Sequence, residues 1–181
     1  MKSTGVVRRV DDLGRIVIPK EIRRTLKIKE GTPLEIFSGD NGELIFTKYS
    51  PVLELEDVSS DVCESIYCSI EKNVFICDKE RVISAKGGAN FKKNFIHKNI
   101  TLDLEKAIEN RKSVVLNKSD GANLIPLIKE EYFCNALIIV PIVSSGDTFG
   151  AIVICSDDNL TNAEVKIAKS FANFISLQIN F

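Results

Sequence analysis

The first fifty residues carry short strand and turn signals and end at Tyr49-Ser50-Pro51, a sequence typical of a domain boundary. Residues 5–10 and 15–18 are rich in β-branched side chains, and Asp11-Asp12-Leu13-Gly14 between them has turn chemistry. A unit of about 50 residues buries too little apolar surface to be stable alone. The pattern therefore predicts that this N-terminal segment folds together with a second chain.

The rest of this segment predicts a short helix followed by a hairpin. Pro19 suits the first turn of a helix, and Ile22 and Leu26 are spaced for one face of a helix over residues 20–28. Asn41-Gly42 tolerates positive φ at both central positions of a hairpin turn. We therefore expect residues 34–37 and 43–48 to pair as two strands.

Charge is unevenly distributed along the chain. The whole chain has a net charge of −1, which argues at first against a nucleic-acid partner. Residues 1–29, however, contain nine basic and three acidic side chains, whereas residues 51–181 contain 14 basic and 18 acidic ones. A solvated surface explains such a basic run as well as a binding site does. Arginine nevertheless suits phosphates and guanine edges, because its planar fork donates paired hydrogen bonds.

The basic segment resembles the AbrB family of transition-state regulators. The resemblance rests on the Asp-Leu-Gly-Arg-Ile-Val-Ile-Pro string of residues 12–19, on Gly31 and on Leu34-Glu35-Ile36, and it covers residues 1–50. It implies a mainly β, swapped-hairpin domain, in which two chains interleave to bind double-stranded DNA. By this resemblance the DNA-contacting arginines are Arg8, Arg15, Arg23 and Arg24. We add Arg9 and Lys20 from the same basic run as candidate DNA-binding residues.

The same fold also occurs in antitoxins, whose extended tails wrap around a toxin. An antitoxin is therefore an alternative function for this chain. The sequence departs from that pattern, because about 130 patterned residues follow the N-terminal segment instead of a short disordered tail.

Residues 53–181 predict an α+β domain with an antiparallel sheet. Apolar residues from Leu55 to Ile70 recur every three or four positions, which predicts a helix over residues 53–72. Thr101 is expected to cap a helix over residues 102–111, and Thr161-Asn162-Ala163-Glu164 fits a capping box. The remaining apolar runs predict strands at residues 74–77, 81–85, 113–116, 136–143 and 149–155.

This order of elements resembles a GAF domain, and the two parts together resemble a family of sporulation regulators that act in the developing forespore. The resemblance implies a transcription regulator with domains 1–52 and 53–181. The second domain either assembles subunits through its first and last helices or also binds a small effector, and both alternatives stay open. We expect a homotetramer, a dimer of swapped-hairpin dimers.

Other classes of protein are disfavoured by the sequence. We find no apolar run long enough for a membrane helix and no signal-peptide pattern, so we expect a cytoplasmic protein. His97 has no local metal partner, and no cofactor motif or catalytic set is found, so we expect no enzyme. The five cysteines contain no Cys-x-x-Cys motif; Cys77 and Cys155 are expected to be inert, and the spacing supplies no reactive thiol pair. Six phenylalanines are expected to be core residues and not a ligand cage: Phe75, Phe91, Phe95, Phe149, Phe171 and Phe174.

Overall fold

The computed structural model describes residues 5–179, which fall into two compact units, Met1–Tyr49 and Ser50–Phe181. We call them the head and the body. Each is described by itself below.

The head contains one short helix and one hairpin. Helix α1 spans Lys20–Thr25, and strands β1 (Leu34–Ser38) and β2 (Leu44–Lys48) pair antiparallel, with Leu34 opposite Lys48 and Ser38 opposite Leu44. Gly42 has φ +77° in the connecting turn, a conformation that glycine adopts without steric cost. The predicted hairpin is confirmed. Helix α1 is shorter than expected, because the left-handed conformation of Lys27 (φ +53°) ends it.

Two predicted strands of the head are absent from the single chain. Residues 5–10 and 15–18 have no regular secondary structure, although the turn between them is formed. A strand exists only when its backbone hydrogen-bonds to a neighbouring strand. Among the described residues the head's only sheet is the β1–β2 hairpin, so these two segments have no strand to pair with.

The head has almost no core of its own. Pro19 is buried, but the residues of both hydrophobic clusters lie in the body. Val7, for example, is 88% exposed. The large apolar side chains that the head leaves exposed are Val6, Val7, Val10, Leu13, Ile16, Val17, Leu26, Ile36, Phe37, Leu44, Ile45 and Phe46.

The body is built on a five-stranded antiparallel sheet with the order β4-β3-β7-β6-β5. The strands are β3 (Asn73–Cys77), β4 (Val82–Lys86), β5 (Val114–Asn117), β6 (Ala136–Ser144) and β7 (Asp147–Ser156). The expected paired strands are confirmed. Pro141 of β6 pairs with Ala151, but β5 reaches only as far as Ile139. The missing N–H of Pro141 therefore lies where β6 has a single neighbouring strand.

Helices cover both faces of this sheet. One face packs against α2 (Pro51–Glu54), α3 (Glu56–Ile70) and α6 (Asn162–Gln178), and the other packs against α4 (Phe91–Phe95) and α5 (Leu102–Glu109). Alternate residues of each strand belong to the two cores: Ile138 lies with α3 and α6, whereas Ile139 lies with α4 and α5. Burial on both faces explains why β6 is apolar without interruption.

The helix ends follow the predicted signals with one difference. Thr101 caps α5, and Thr161 and Glu164 form the predicted capping box of α6. The single helix expected over residues 53–72 is instead divided at Leu55 into α2 and α3. Helix α3 ends before Glu71, because the left-handed backbone of Glu71 (φ +53°) terminates the helical hydrogen bonding.

Asn117 ties the sheet to the turn before α6 and provides a test of the body's packing. Its side chain donates to the Leu160 carbonyl at 3.0 Å and accepts from the Leu160 N–H at 2.9 Å. The change Asn117→Ala leaves both buried backbone groups without this partner, at a cost of about 2–4 kcal/mol. We expect a lower denaturant midpoint for the body at constant protein concentration.

The exposed Asn159 is the matched control, since its side chain accepts only from Ser119 at the surface. Asn159→Ala should change the stability by less than about 0.5 kcal/mol. Equal shifts for the two variants would contradict the structural role of Asn117.

Candidate nucleic-acid interface

The turn before residues 15–18 fixes Arg15 through Asp11. One carboxylate oxygen of Asp11 accepts from the N–H groups of Leu13 (3.1 Å) and Arg15 (2.7 Å), and the other accepts from Nε of Arg15 at 2.8 Å. The N–H of Gly14 donates to the Asp11 carbonyl at 3.1 Å, and Gly14 has φ +75°. The turn therefore holds the base of the Arg15 side chain while the side chain stays 69% exposed.

These contacts also change the acidity of Asp11. The backbone N–H of Arg15, and next its side chain, stabilise the ionised carboxylate and lower the pKa of Asp11 below its ordinary value of 3.8. Because Asp11 is ionised at neutral pH, it partly neutralises Arg15 and orients its guanidinium at the same time. The sequence identified Asp11 only as a turn residue. The i, i+4 spacing of Asp11 and Arg15 was the signal for their ion pair.

The other candidate residues are also exposed on the head. Arg8 and Arg9 lie in the segment without regular structure, and Lys20, Arg23 and Arg24 lie on α1. The buried Pro19 precedes this helix and accepts the N–H of Arg23 at 2.9 Å. All six predicted basic residues are thus accessible. They lie in three parts of the head: the segment of residues 5–10, the position of Arg15 after the turn, and helix α1.

An aromatic cluster forms part of the core on the second face of the body's sheet. The ring centroids of Phe75 and Phe91 lie 5.1 Å and 4.3 Å from that of Phe95, and the Tyr132 ring lies 4.7 Å from it. The expectation of core phenylalanines is confirmed for this cluster but is wrong for Phe174, which is 46% exposed because it lies on the outer side of α6.

A depression of about 220 Å³ lies beside this cluster. Its lining includes Lys98 and Glu130, which form an ion pair at 2.7 Å, together with Lys93, Glu131 and Tyr132. The pairing of Lys98 with Glu130 reduces the charge that this depression offers to a ligand.

The body also contains the histidine and the five cysteines of the chain. His97 is exposed in a lysine- and asparagine-rich loop, and among residues 5–179 no group of three or more potential ligands is arranged for a metal. Cys77 and Cys155 are buried as expected, and burial raises the pKa of each thiol.

Within the described part of the chain, the helices are too short or too polar to cross a membrane.

Comparisons with known proteins match both parts of the chain. The family model described as "Stage V sporulation protein T C-terminal, transcription factor" matches residues 54–180, and "Antidote-toxin recognition MazE, bacterial antitoxin" matches residues 7–54. Stage V sporulation protein T of Bacillus subtilis (strain 168) is 43% identical over 180 residues, 99% of each chain.

Two further matches concern the separate parts. The transition state regulatory protein AbrB of Bacillus subtilis (strain 168) is 52% identical over 64 residues, which are 34% of this chain and 66% of that protein. The GAF domain of an Acinetobacter phosphoenolpyruvate-protein phosphotransferase superposes with a TM-score of 0.52 at 16% identity, covering 67% of this chain and 80% of that domain. The latter likeness shows the fold alone.

An AbrB-like DNA-binding head joined to a GAF-like body defines a class of transcription regulators. The chain belongs, more particularly, to the stage V sporulation protein T family and is a sporulation transcription regulator. The expected fold classes of the two parts are confirmed.

The depressed pKa of Asp11 gives a direct test of the turn. A pKa lowered by folding means that the ionised carboxylate supports the turn at and above pH 4, and that this support is lost as the pH falls through the folded value. We expect the amide shifts of Leu13 and Arg15 in NMR spectra to titrate together, with a midpoint below 3.8. In Asp11→Asn this shared titration should disappear. Its persistence in that variant would contradict the assignment.

Proposed function

We propose that this regulator binds double-stranded DNA with the basic side chains of two interleaved heads. The observation that carries the proposal is the exposed basic set in a head that matches AbrB: Arg8, Arg9, Arg15, Lys20, Arg23 and Arg24. The predicted division into a DNA-binding domain 1–52 and a regulatory and oligomerisation domain 53–181 forms part of this proposal.

The second chain is required by the head's exposed apolar surface. Twelve large apolar side chains of the head are exposed in the single chain, and residues 5–10 and 15–18 form no strand within the described residues. A second copy supplies both complementary strands and the missing apolar contacts, because the same segments are present in each chain. Interleaving of two heads therefore buries surface that one head leaves in water.

Dimerisation also concentrates positive charge. Residues 1–29 have a net charge of +6 in each chain, so two heads double the charge presented to one stretch of DNA. Phosphate contacts release counterions from DNA, so binding should weaken steeply as salt rises. Arg15 suits a specific contact best, because Asp11 already restricts its conformation and less side-chain entropy is lost on binding.

The body supports assembly more strongly than ligand sensing. An aromatic cluster forms part of the core on one face of its sheet, whereas α6 leaves Phe174 and Leu177 exposed beside the half-buried Ile167 and Phe171. We assign this apolar stripe of α6 to a second contact between copies of the chain, which would join two dimers into a tetramer. Binding of a small effector in the cytoplasm of the forespore remains a secondary part of the proposal.

The antitoxin reading accounts for the head but not for the body. The antitoxin model matches residues 7–54 only, whereas residues 54–180 match a transcription factor family. A folded domain with its own core replaces the extended tail with which such antitoxins bind a toxin. DNA binding therefore explains more of this chain.

The arginine assignment predicts which substitutions weaken DNA binding. Arg15→Ala and Arg23→Ala should each weaken binding by about 1–3 kcal/mol if the side chain contacts a base, and reduce its salt dependence if it contacts a phosphate. The measurement is fluorescence anisotropy with duplex DNA across a salt series. Arg111→Ala is the matched control, because Arg111 is an exposed arginine of the body. Unchanged binding by both head variants would remove the basis of the proposal.

The proposed contact through the apolar stripe of α6 predicts that charged substitutions in this stripe change the oligomeric state. Phe174→Glu with Leu177→Glu places charge in the proposed contact, and sedimentation should change from tetramer to dimer while the heads stay paired. Lys169→Glu is the control, since Lys169 is exposed and lies about 140° around the helix from Phe174. A tetramer that survives the double change would show that α6 does not form this contact.

A further inference from the structure

The depression beside the aromatic cluster offers apolar surface to a ligand. Helix α4 with the turn after it contributes part of the lining, and residues 128–132 of the loop before β6 contribute the rest. Phe95 and Ile128 are buried apolar side chains of this lining, and Tyr132 adds a half-buried ring. An apolar group placed against these three side chains would leave water, which favours its binding.

Side-chain contacts hold this loop in place. Lys98 and Glu130 pair at 2.7 Å, and Nδ2 of Asn73 donates to the Tyr132 hydroxyl at 3.1 Å. The Tyr132 ring also meets the Phe95 ring edge-on, with the two centroids 4.7 Å apart. The lining is thus positioned by the body itself, which reduces the ordering cost of binding a ligand.

The charged side chains of the lining differ in their pairing. Lys98 and Glu130 neutralise each other. Lys93 and Glu131 are exposed, and within residues 5–179 neither of them belongs to an ion pair. The depression therefore presents one uncompensated cation and one uncompensated anion beside an apolar surface.

We propose that the depression binds a free α-amino acid with an apolar side chain. The carboxylate of the amino acid pairs with Lys93, and its ammonium pairs with Glu131. Its side chain packs against Phe95, Ile128 and Tyr132. This inference rests on the secondary part of the proposed function, in which the body binds a small effector.

The charge of the lining disfavours other classes of ligand. A phosphate or a nucleotide would face the carboxylate of Glu131, and a purely cationic ligand would face the ammonium of Lys93. One end of a peptide carries only one of the two charges. A free amino acid carries both charges on adjacent groups, so it satisfies both side chains at once.

The experiment is methyl NMR of the full-length protein, labelled at its isoleucine δ1 methyl groups and titrated with L-leucine. We expect the Ile128 signal to shift and to saturate, because this side chain lines the depression. Ile66, which is buried on α3 in the other core, is the internal control and should not shift. An Ile128 signal that stays in place at millimolar L-leucine, or equal shifts of both signals, would overturn the proposal.

Three further probes each lack one feature of the ligand. N-acetyl-L-leucine has no ammonium, L-leucinamide has no carboxylate, and glycine has no apolar side chain. Each should bind at least about threefold more weakly than L-leucine, because each loses one of the proposed contacts. If either blocked derivative binds as tightly as L-leucine, the assignment to a free amino acid is wrong.

Two variants test the charges of the protein. Lys93→Ala and Glu131→Ala should each weaken L-leucine binding by about threefold to tenfold, since each removes one charged contact at the surface. Lys92→Ala is the matched control, because Lys92 is an exposed lysine of the same helix and is not part of the lining. Unchanged binding by both lining variants, or an equal loss in the control, would contradict the proposed contacts.

Duplex DNA binding, measured in parallel on the same samples, separates this inference from the proposed function. If wild-type protein binds DNA but its Ile128 signal does not respond to L-leucine, the ligand site is overturned and the DNA-binding proposal stands. If the Ile128 signal responds but no DNA is bound, the ligand site is supported and the DNA-binding proposal is contradicted.

Discussion

One chain of this protein cannot bury the apolar side chains of its own head. Hydrophobic surface drives folding only when it leaves water, and the head's single hairpin offers no interior to receive its valines, isoleucines and phenylalanines. The strand-prone segments on either side of the Asp11 turn form no strand in the part of the chain that the structure describes. In this account the need for a second chain links folding to DNA binding, because the pairing that completes the core also brings two basic segments together.

The body satisfies its own requirements within the chain. Both faces of its sheet are covered by helices, and its buried polar side chains include Asn117, which closes the turn before α6. Phe75, Phe91 and Phe95 form an aromatic cluster on the sheet face that α4 and α5 cover. On α6 the body leaves Phe174 and Leu177 exposed, and the proposed assembly of the regulator uses these two side chains.

Local patterns predicted most of this fold. The capping box of α6, the Asn41-Gly42 hairpin and the doubly buried β6 depend on residues close in sequence, and each was predictable. Residue types predicted strands at residues 5–10 and 15–18. A strand also needs a neighbouring strand, and residue types do not show which strand that would be. Of the candidate site, the basic residues were predictable, but the role of Asp11 in orienting Arg15 emerged from distances.

The central claim is that two heads exchange strands to complete one core. Isotope-filtered NMR on a mixed dimer, with one chain labelled with ¹³C and the other unlabelled, measures contacts between chains directly. The account predicts nuclear Overhauser effects from Val17 and Ile16 of one chain to apolar side chains of the other head. Nuclear Overhauser effects confined to single chains, with these side chains still in water, would contradict it.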